Sequence, residues 1–184
     1  MKRHNIDGDR IFTIDGFLSA DQCTELIAMS ESMGYSEAPI TTGSGFEMRK
    51  DIRNNTRVMF DDRELAESLW DGLREFMPDP FGDRHPVELN ERLRFYRYTP
   101  GQKFAPHVDG YFRRENGEKS RFTFMVYLND DFSNGGTRFL EPMSYTVQPR
   151  TGMALVFYHH QVHEGQIVLD GTKYVLRTDV MYSA

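Results

Sequence analysis

The sequence predicts an α+β fold that is mainly β, in which a double-sheet β-sandwich or jelly roll is supported by N-terminal helices. Three observations lead to it: short alternating segments between residues 92 and 182, turn residues between them, and two capped amphipathic segments before residue 90. The chain has 184 residues, of which 39% are hydrophobic and 13% aromatic, which suits a single domain over 1–184. Within it we expect an N-terminal supporting part, 1–90, and a core, 91–184.

The N-terminal part begins with a short predicted strand over residues 10–14 and continues into a helix. Ser19 and Gln22 have the spacing of a capping box, in which each side chain accepts a hydrogen bond from the backbone N–H of the other residue. Gly34 follows the apolar pattern, and glycine commonly ends helices because it tolerates the left-handed conformation. These signals predict a helix that ends just before Gly34.

A second helix is predicted to begin after Asp61, as an acidic N-cap with Glu64 at position N3. Its apolar residues recur at helical spacing and form one stripe that can pack against the core. The stripe consists of Leu65, Leu69, Leu73 and Phe76. Pro78 ends the helix, because proline lacks the backbone donor that a helix interior needs.

The segment 40–56 between the two helices has little periodicity and contains glycines and hydroxyl side chains. We predict a loop here, either a solvated surface loop or a mobile lid that closes over a substrate and excludes water. Arg53 and Arg57 near its end, together with Arg113, are candidate substrate contacts. If they line the mouth of one site, the substrate carries acidic groups.

The core part is predicted to consist mostly of strands. Residues 121–128 alternate, so that apolar side chains lie on one face and Thr123, Met125 and Tyr127 lie on the other. Further strands are predicted over 92–98, 137–140, 153–158 and 173–182. Glycine, proline and aspartate-rich turns separate them.

Composition and charge exclude several classes of protein. The net charge of −6 argues against a nucleic-acid partner, since phosphate contacts require clustered Lys and Arg. The single cysteine, Cys23, excludes an intrachain disulfide and indicates a reducing compartment. We find no signal peptide and no apolar run long enough to span a membrane, so a cytoplasmic protein without a membrane partner is expected. The sequence does not indicate the oligomeric state.

The triplet His107-Val108-Asp109 is the strongest chemical signal of the chain. Two residues at positions i and i+2 of an extended segment point to the same side, which brings an imidazole and a carboxylate together. With one distant histidine they would form a 2-His-1-carboxylate triad, which leaves coordination positions of Fe(II) open. The candidates for the third ligand are His159, His160 and His163.

Residues 163–174 resemble the distal-histidine segment of the prolyl 4-hydroxylase and lysyl hydroxylase branch of Fe(II)/2-oxoglutarate dioxygenases. Lys173 follows His163 by ten residues, as does the Lys or Arg that binds the C5 carboxylate of 2-oxoglutarate in that family. This spacing favours His163, and we expect His159 and His160 at a rim or in a loop. The segments 135–139 and 149–157 also resemble the family, and the resemblance covers most of residues 92–182.

The resemblance implies a double-stranded β-helix core of the jelly-roll, cupin-like kind, with Fe(II) bound by His107, Asp109 and His163. It further implies that Lys173 anchors the co-substrate 2-oxoglutarate, with Tyr98 and Tyr127 as additional contacts. Arg177, four residues beyond Lys173 on the same strand face, remains an alternative anchor, a substrate contact or a partner of Asp179. O2 is the second co-substrate, and ascorbate is a candidate reductant.

The implied reaction is hydroxylation of an unactivated C–H bond with release of succinate and CO2. The resemblance favours a peptidyl proline as the substrate, and a small metabolite is the alternative. The competing class is a non-catalytic, cupin-like metal-binding sensor or binding protein that retains the same pocket.

Overall fold

The computed structural model describes residues 1–42, 45–141 and 144–184. Its helices are α1 (Ala20–Met33) and α2 (Arg63–Leu73), the latter continuing as a 3-10 turn over Arg74–Phe76. The strands are β1 (Lys2–Asp7), β2 (Ile11–Asp15), β3 (Ser36–Glu37), β4 (Ile40–Thr42), β5 (Gly45–Glu47), β6 (Thr56–Asp61), β7 (Pro86–Leu89), β8 (Arg92–Tyr98), β9 (Phe104–His107), β10 (Lys119–Tyr127), β11 (Ser133–Asn134), β12 (Thr137–Phe139), β13 (Tyr145–Val147), β14 (Ala154–Tyr158), β15 (His163–Gly165), β16 (Val168–Asp170) and β17 (Lys173–Tyr182).

The larger sheet is antiparallel and has the order β1-β2-β14-β10-β17-β8-β6-β3, with β7 paired to β17. Strands from the first 90 residues therefore extend the same sheet that β8, β10, β14 and β17 form at its centre. In that centre Lys173 lies opposite Tyr98, and Val175 lies opposite Tyr127. This register places the side chains of widely separated segments in rows on one face.

Alternation divides the larger sheet into two buried faces. One face carries Phe95, Phe124, Val156 and Leu176 and packs against α1 and α2 through residues such as Leu69. The opposite face carries a second cluster, which includes Tyr96, Tyr98, Tyr127, Leu155 and Val175. Since successive side chains of a strand point to opposite sides, one sheet both holds the helices and forms the wall of a cavity.

The smaller sheet has the order β13-β12-β15-β9 and covers the second face. Its strands β9 and β15 pair antiparallel, with His163 opposite His107. Short pairs of strands, β11 with β16 and β4 with β5, complete the pairing seen in the described residues. The arrangement of two facing antiparallel sheets with helical support confirms the mainly β, jelly-roll prediction.

Helix α1 begins and ends as predicted. Both halves of the Ser19–Gln22 capping box form, and Gly34 follows the helix with a φ of 79°. Helix α2 begins one residue later than predicted, because Asp62 is its N-cap and accepts a hydrogen bond from the Leu65 N–H. Asp61 is engaged elsewhere: as the last residue of β6 it pairs with Arg92 at 2.8 Å.

The prediction of a loop over residues 40–56 is partly wrong. Strands β4 and β5 pair across 40–42 and 45–47, and β6 begins at Thr56, so that only the stretch between β5 and β6 lacks strand structure apart from an isolated bridge at Arg53. Residues 43–44 of the predicted loop lie outside the described residues. Whether the segment closes over a substrate stays a prediction.

Among the described residues, no helix combines the length and the apolar character needed to cross a lipid bilayer.

Candidate active site

An open cavity lies between the larger and the smaller sheet, and the space that no protein atom fills there is about 460 Å³, open solvent included. His107, Asp109 and His163 meet on its wall, and one ligand atom from each lies within 4.8 Å of the others. The pairing of β9 with β15 brings the two imidazoles together, and the Asp109 backbone N–H donates to the His159 carbonyl at 3.1 Å. The sequence-predicted ligands are therefore assembled by backbone pairing between distant segments.

Both histidines are oriented by the carbonyl two residues before them. His107 Nδ1 lies 2.8 Å from the Ala105 oxygen, and His163 Nδ1 lies 2.9 Å from the Gln161 oxygen. A carbonyl only accepts, so each Nδ1 carries the proton and donates, which leaves each Nε2 lone pair directed toward Asp109. The Nε2–carboxylate distances are 3.6 Å for His107 and 3.8 Å for His163.

The Asp109 carboxylate stays ionised although it is buried. Burial favours the neutral form and is the largest single effect, but Arg177, whose Nη2 lies 3.1 Å from Oδ2, together with His163 and His107 outweighs it, and the pKa of Asp109 stays well below its usual value. Thr123 Oγ1 donates to the same Oδ2 at 2.5 Å. Asp109 therefore keeps the charged form that metal binding requires.

A directional chain of hydrogen bonds continues behind Asp109. Because Thr123 donates its proton to Asp109, the His159 Nδ1–H must donate to Thr123 Oγ1, at 3.1 Å. His159 Nε2 then accepts from Ser120 Oγ at 3.0 Å, and Ser120 accepts from the Phe112 N–H at 2.8 Å. Burial lowers the pKa of His159 to about 4, which agrees with the neutral ring that this chain requires.

The prediction of His159 as a rim or loop residue is therefore wrong in part: His159 lies in the turn after β14, but not at an exposed rim. Its side chain is buried at the end of β14, where it hydrogen-bonds to two strand residues. His160 is exposed, as expected.

Lys173 lies at another part of the cavity wall, away from the ligands. It is fully buried, and its Nζ donates to the Gly135 carbonyl at 2.6 Å and lies 5.2 and 5.4 Å from the ring centres of Tyr98 and Tyr127. Burial lowers the pKa of Lys173 to about 7 and raises that of Tyr98 to about 12. Tyr127 donates to Thr137 Oγ1, which lines the cavity, at 2.7 Å.

Arg177 occupies a different position from Lys173, although both lie on the same face of β17. Its guanidinium contacts Asp109, Asp179 and the hydroxyl of Tyr96, at 3.1, 3.2 and 3.3 Å. Arg177 therefore lies beside the triad and is already paired with carboxylates, including the predicted partner Asp179. Lys173 has a backbone carbonyl as its hydrogen-bond partner.

Two of the three candidate substrate residues, Arg53 and Arg57, lie beside Tyr96, and Arg113 lies apart from them. Arg53 is buried, with its guanidinium against the rings of Tyr96 and Phe104, two residues of the cavity wall. Arg57 is half-buried on β6, opposite Tyr96, and burial lowers its pKa. Arg113 is exposed and forms a bridge with Lys119, outside the cavity lining.

The residues of the cavity fit Fe(II) and 2-oxoglutarate. Two imidazole nitrogens and one carboxylate within 4.8 Å can share one ion, since metal–ligand bonds are about 2 Å long. This donor set is characteristic of non-haem Fe(II) sites with open positions. A buried lysine with a single hydrogen-bond acceptor suits the distal carboxylate of a dicarboxylic acid.

Sequence reasoning missed Thr123, Tyr96 and Phe104. Thr123 binds Asp109, Tyr96 binds Arg177, and the Phe104 ring stacks on the His107 ring at 3.6 Å. The alternation of side chains along the two strands could have indicated Thr123 and Tyr96. Thr123 shares a strand face with Tyr127, and Tyr96 lies two residues before Tyr98, so both had to point toward the site.

Comparisons with known proteins agree with this geometry. Residues 93–178 match the family model of the 2OG-Fe(II) oxygenase superfamily. A putative prolyl 4-hydroxylase of Acanthamoeba polyphaga mimivirus is 24% identical, over 93% of this chain and 74% of its own length. Prolyl 4-hydroxylase 1 of Arabidopsis thaliana is 23% identical over 90% of this chain, which spans 66% of that relative.

A solved prolyl hydroxylase from Trichoplax adhaerens, in complex with a peptide fragment of the hypoxia inducible factor oxygen degradation domain, superposes with a TM-score of 0.74. It is 16% identical, and the match covers 95% of this chain and 84% of that one. At that identity the structural match supports the fold, whereas the family model and the sequence relatives support the chemistry. Together they support a prolyl 4-hydroxylase-like 2-oxoglutarate/Fe(II) oxygenase.

Proposed function

We propose that this oxygenase hydroxylates a prolyl residue of a peptide, with His107, Asp109 and His163 holding Fe(II) and Lys173 binding the distal carboxylate of 2-oxoglutarate. The observation that carries the proposal is the placement of three ligand atoms within 4.8 Å of one another in the same cavity as a buried lysine. The prolyl substrate is proposed from the similar proteins, which are named as prolyl 4-hydroxylases.

Each group of the chain has a defined task in this proposal. The bound Fe(II), with 2-oxoglutarate and O2, supplies the oxidising chemistry that releases succinate and CO2. Ala105 and Gln161 hold the two imidazoles through their carbonyls, and Thr123 and Arg177 hold the carboxylate of Asp109. These contacts fix the three side chains on the cavity wall, where they would hold the ion.

The opposite part of the cavity holds the co-substrate. Lys173 Nζ supplies a point charge, and Tyr98 and Thr137 stand near enough to add hydroxyl donors that fix the orientation of a carboxylate. Phe104, Phe157 and Val175 add apolar wall, which excludes water from the reacting groups.

Two assays test the proposal. The protein is supplied with Fe(II), ascorbate and 2-oxoglutarate, and succinate is measured; proline-containing peptides are then added, and the gain of one oxygen atom is measured by mass spectrometry. We expect succinate from the unmodified protein, more with an accepted peptide, and none from Asp109→Asn. Metal-loaded protein that forms no succinate would instead support the non-catalytic binding protein.

A further inference from the structure

Arg53 is a buried cation without an anionic partner in the described part of the chain. The residue is 5% exposed, its Nη2 has no hydrogen-bond partner there, and no ion pair among the described residues includes it. A buried, unpaired charge is unfavourable unless something compensates it. The aromatic rings of Tyr96 and Phe104, 4.5 and 4.6 Å from the guanidinium carbon, compensate only in part.

The guanidinium is held in place before any ligand arrives. Arg53 Nε donates to Asn55 Oδ1 at 2.7 Å, and the buried Asn55 is fixed in turn through its Nδ2, which donates to the Thr56 carbonyl at 2.9 Å. An arginine fixed through Nε keeps the planar edge of its Nη groups for another acceptor. That geometry suits the two oxygens of a carboxylate.

The carboxylates nearest to this region are already engaged. Asp179 lies 3.2 Å from both Arg94 and Arg177, and Asp109 is 3.1 Å from Arg177. Burial alone would raise the pKa of Tyr96, but the charges of Arg177, Arg53 and Arg94 together lower it to about 8. The wall around Tyr96 therefore has a positive potential that the described acidic residues do not neutralise.

Arg53 is also close to the reacting centre. It contacts Phe104, whose ring stacks on the metal-ligating candidate His107 at 3.6 Å, and Tyr96, whose hydroxyl binds Arg177 beside Asp109. Lys173, the proposed anchor of 2-oxoglutarate, is a separate cation near Tyr98 and Tyr127. Arg53 therefore lies directly behind two residues of the cavity wall, and unlike Arg177 it has no carboxylate partner among the described residues.

We propose that Arg53 binds a carboxylate of the substrate and so positions the carbon that is hydroxylated. This inference rests on the proposed function and names the substrate class: an acidic molecule whose carboxylate lies near the oxidised position. Glutamate or aspartate beside proline in a peptide, and the free carboxylate of a small proline derivative, are the two sources of this chemistry.

Binding is tested without turnover, on protein loaded with Mn(II) and 2-oxoglutarate in the absence of O2. Calorimetry compares matched acid and amide probes: blocked peptides with glutamate or glutamine on either side of proline, and N-acetylproline against N-acetylprolinamide. We expect the acid of at least one pair to bind about tenfold more tightly, as a charge-assisted, bidentate contact implies. The pair that discriminates identifies the source of the carboxylate.

Variants assign the effect to Arg53. Arg53→Met keeps the length of the side chain and should abolish the preference for the acid while it leaves 2-oxoglutarate affinity unchanged; Arg53→Lys should keep part of it. Arg74→Met replaces an exposed arginine 21 residues further along the chain, and it should show the same preference for the acid as the unmodified protein. Far-ultraviolet circular dichroism confirms that each variant folds.

Several outcomes would overturn the inference. Equal affinity for the acid and the amide of every probe pair would overturn it, and this result needs only the unmodified protein. A preference for the acid that survives in Arg53→Met would also overturn it. A loss of 2-oxoglutarate affinity of about tenfold in that variant would assign Arg53 to the co-substrate instead. If the acid probes bind more tightly but no probe gains oxygen, the carboxylate site is supported and the prolyl substrate is contradicted. Failure of this inference and failure of the proposed function therefore give different results.

Discussion

Lys173 shows how burial sets the working range of a single charge. Water removed from around an ammonium group destabilises its charged form, and the pKa of Lys173 therefore falls from the usual 10.5 to about 7. The hydrogen-bond acceptor of Lys173 is the neutral Gly135 carbonyl, and no carboxylate of the described residues pairs with the ammonium to offset the cost of burial. At neutral pH the protonated amine, which can bind an anion well, and the neutral amine, which cannot, are thus present in similar amounts.

The affinity for 2-oxoglutarate should therefore fall as the pH rises above about 7. Only the protonated amine attracts the distal carboxylate, so the dissociation constant is flat below the pKa and rises by up to about tenfold per pH unit above it, until the pKa of the complex is reached. Titration of 2-oxoglutarate into anaerobic, metal-loaded protein between pH 6 and 9 measures this.

The matched control for that titration is Lys173→Met, which removes the charge and keeps the apolar stem. It should bind 2-oxoglutarate about 10- to 100-fold more weakly, in line with hydrogen bonds to charged groups, and without the rise above pH 7. A pH dependence that persists in the variant would show that another group titrates.

Thr123 should tune the affinity of the metal site. Thr123→Val keeps the shape but removes the donor to Asp109 Oδ2 and the acceptor of His159 Nδ1. We expect metal affinity to fall about 10- to 100-fold, as for other groups that orient ligands. Competition against a chelator measures it. Thr123→Ser retains the hydroxyl and should restore most of the affinity; a Ser variant as weak as Val would argue for packing alone.

At the scale of residues, the sequence predicted which side chains carry the chemistry better than it predicted how deeply each side chain is buried. The His107-Val108-Asp109 triplet and the spacing of His163 to Lys173 led to four residues, His107, Asp109, His163 and Lys173, that all line the cavity. The burial of Arg53 and His159 was not predictable in the same way. Both flank irregular segments, where no periodicity tells which side chain points inward, and their positions depend on contacts with distant strands.

Secondary-structure elements were predicted best where a strong pattern runs to the end of the element. The strands β8 and β17 begin and end where alternation predicted, because each has a turn signal at its start or end. The strand β1 was missed, since Lys2–Asp7 is a mostly polar edge strand whose pairing with β2 supplies the order. Strands β9 and β15 are too short to show a period, and their partners define them.

The turn before β14 depends on Gly152. Its φ is +75°, and a Cβ there would lie 2.0 Å from the Leu18 carbonyl oxygen. Gly152→Ala should therefore lower the free energy of unfolding by more than the ~1 kcal/mol that a strained φ alone costs. Gly16→Ala is the matched control, with a φ of +65° and open space around the new Cβ. Denaturant unfolding compares them, and equal losses would exclude the steric explanation.

At the scale of the whole molecule, bound metal should stabilise the fold. The ion would be held by residues of β9, β15 and the segment that follows β9, and binding to the native state alone adds about 2.7 kcal/mol at a hundredfold excess over the dissociation constant. Mn(II) should raise the melting temperature of the unmodified protein and leave that of Asp109→Asn nearly unchanged. An equal rise in both would locate the stabilising ion elsewhere.

The pairing of β9 with β15 has a further consequence for how the chain reaches its functional state. A slip of one residue between two strands turns every side chain of one of them to the other face. The two strands are short, with His107 opposite His163 and a shift in register toward Gly165, so backbone hydrogen bonds alone discriminate weakly among alignments. Only the alignment that presents both imidazoles and Asp109 to one point can take up an ion. Metal binding at this point would therefore favour the alignment of β9 and β15 that the structure has over any slipped one.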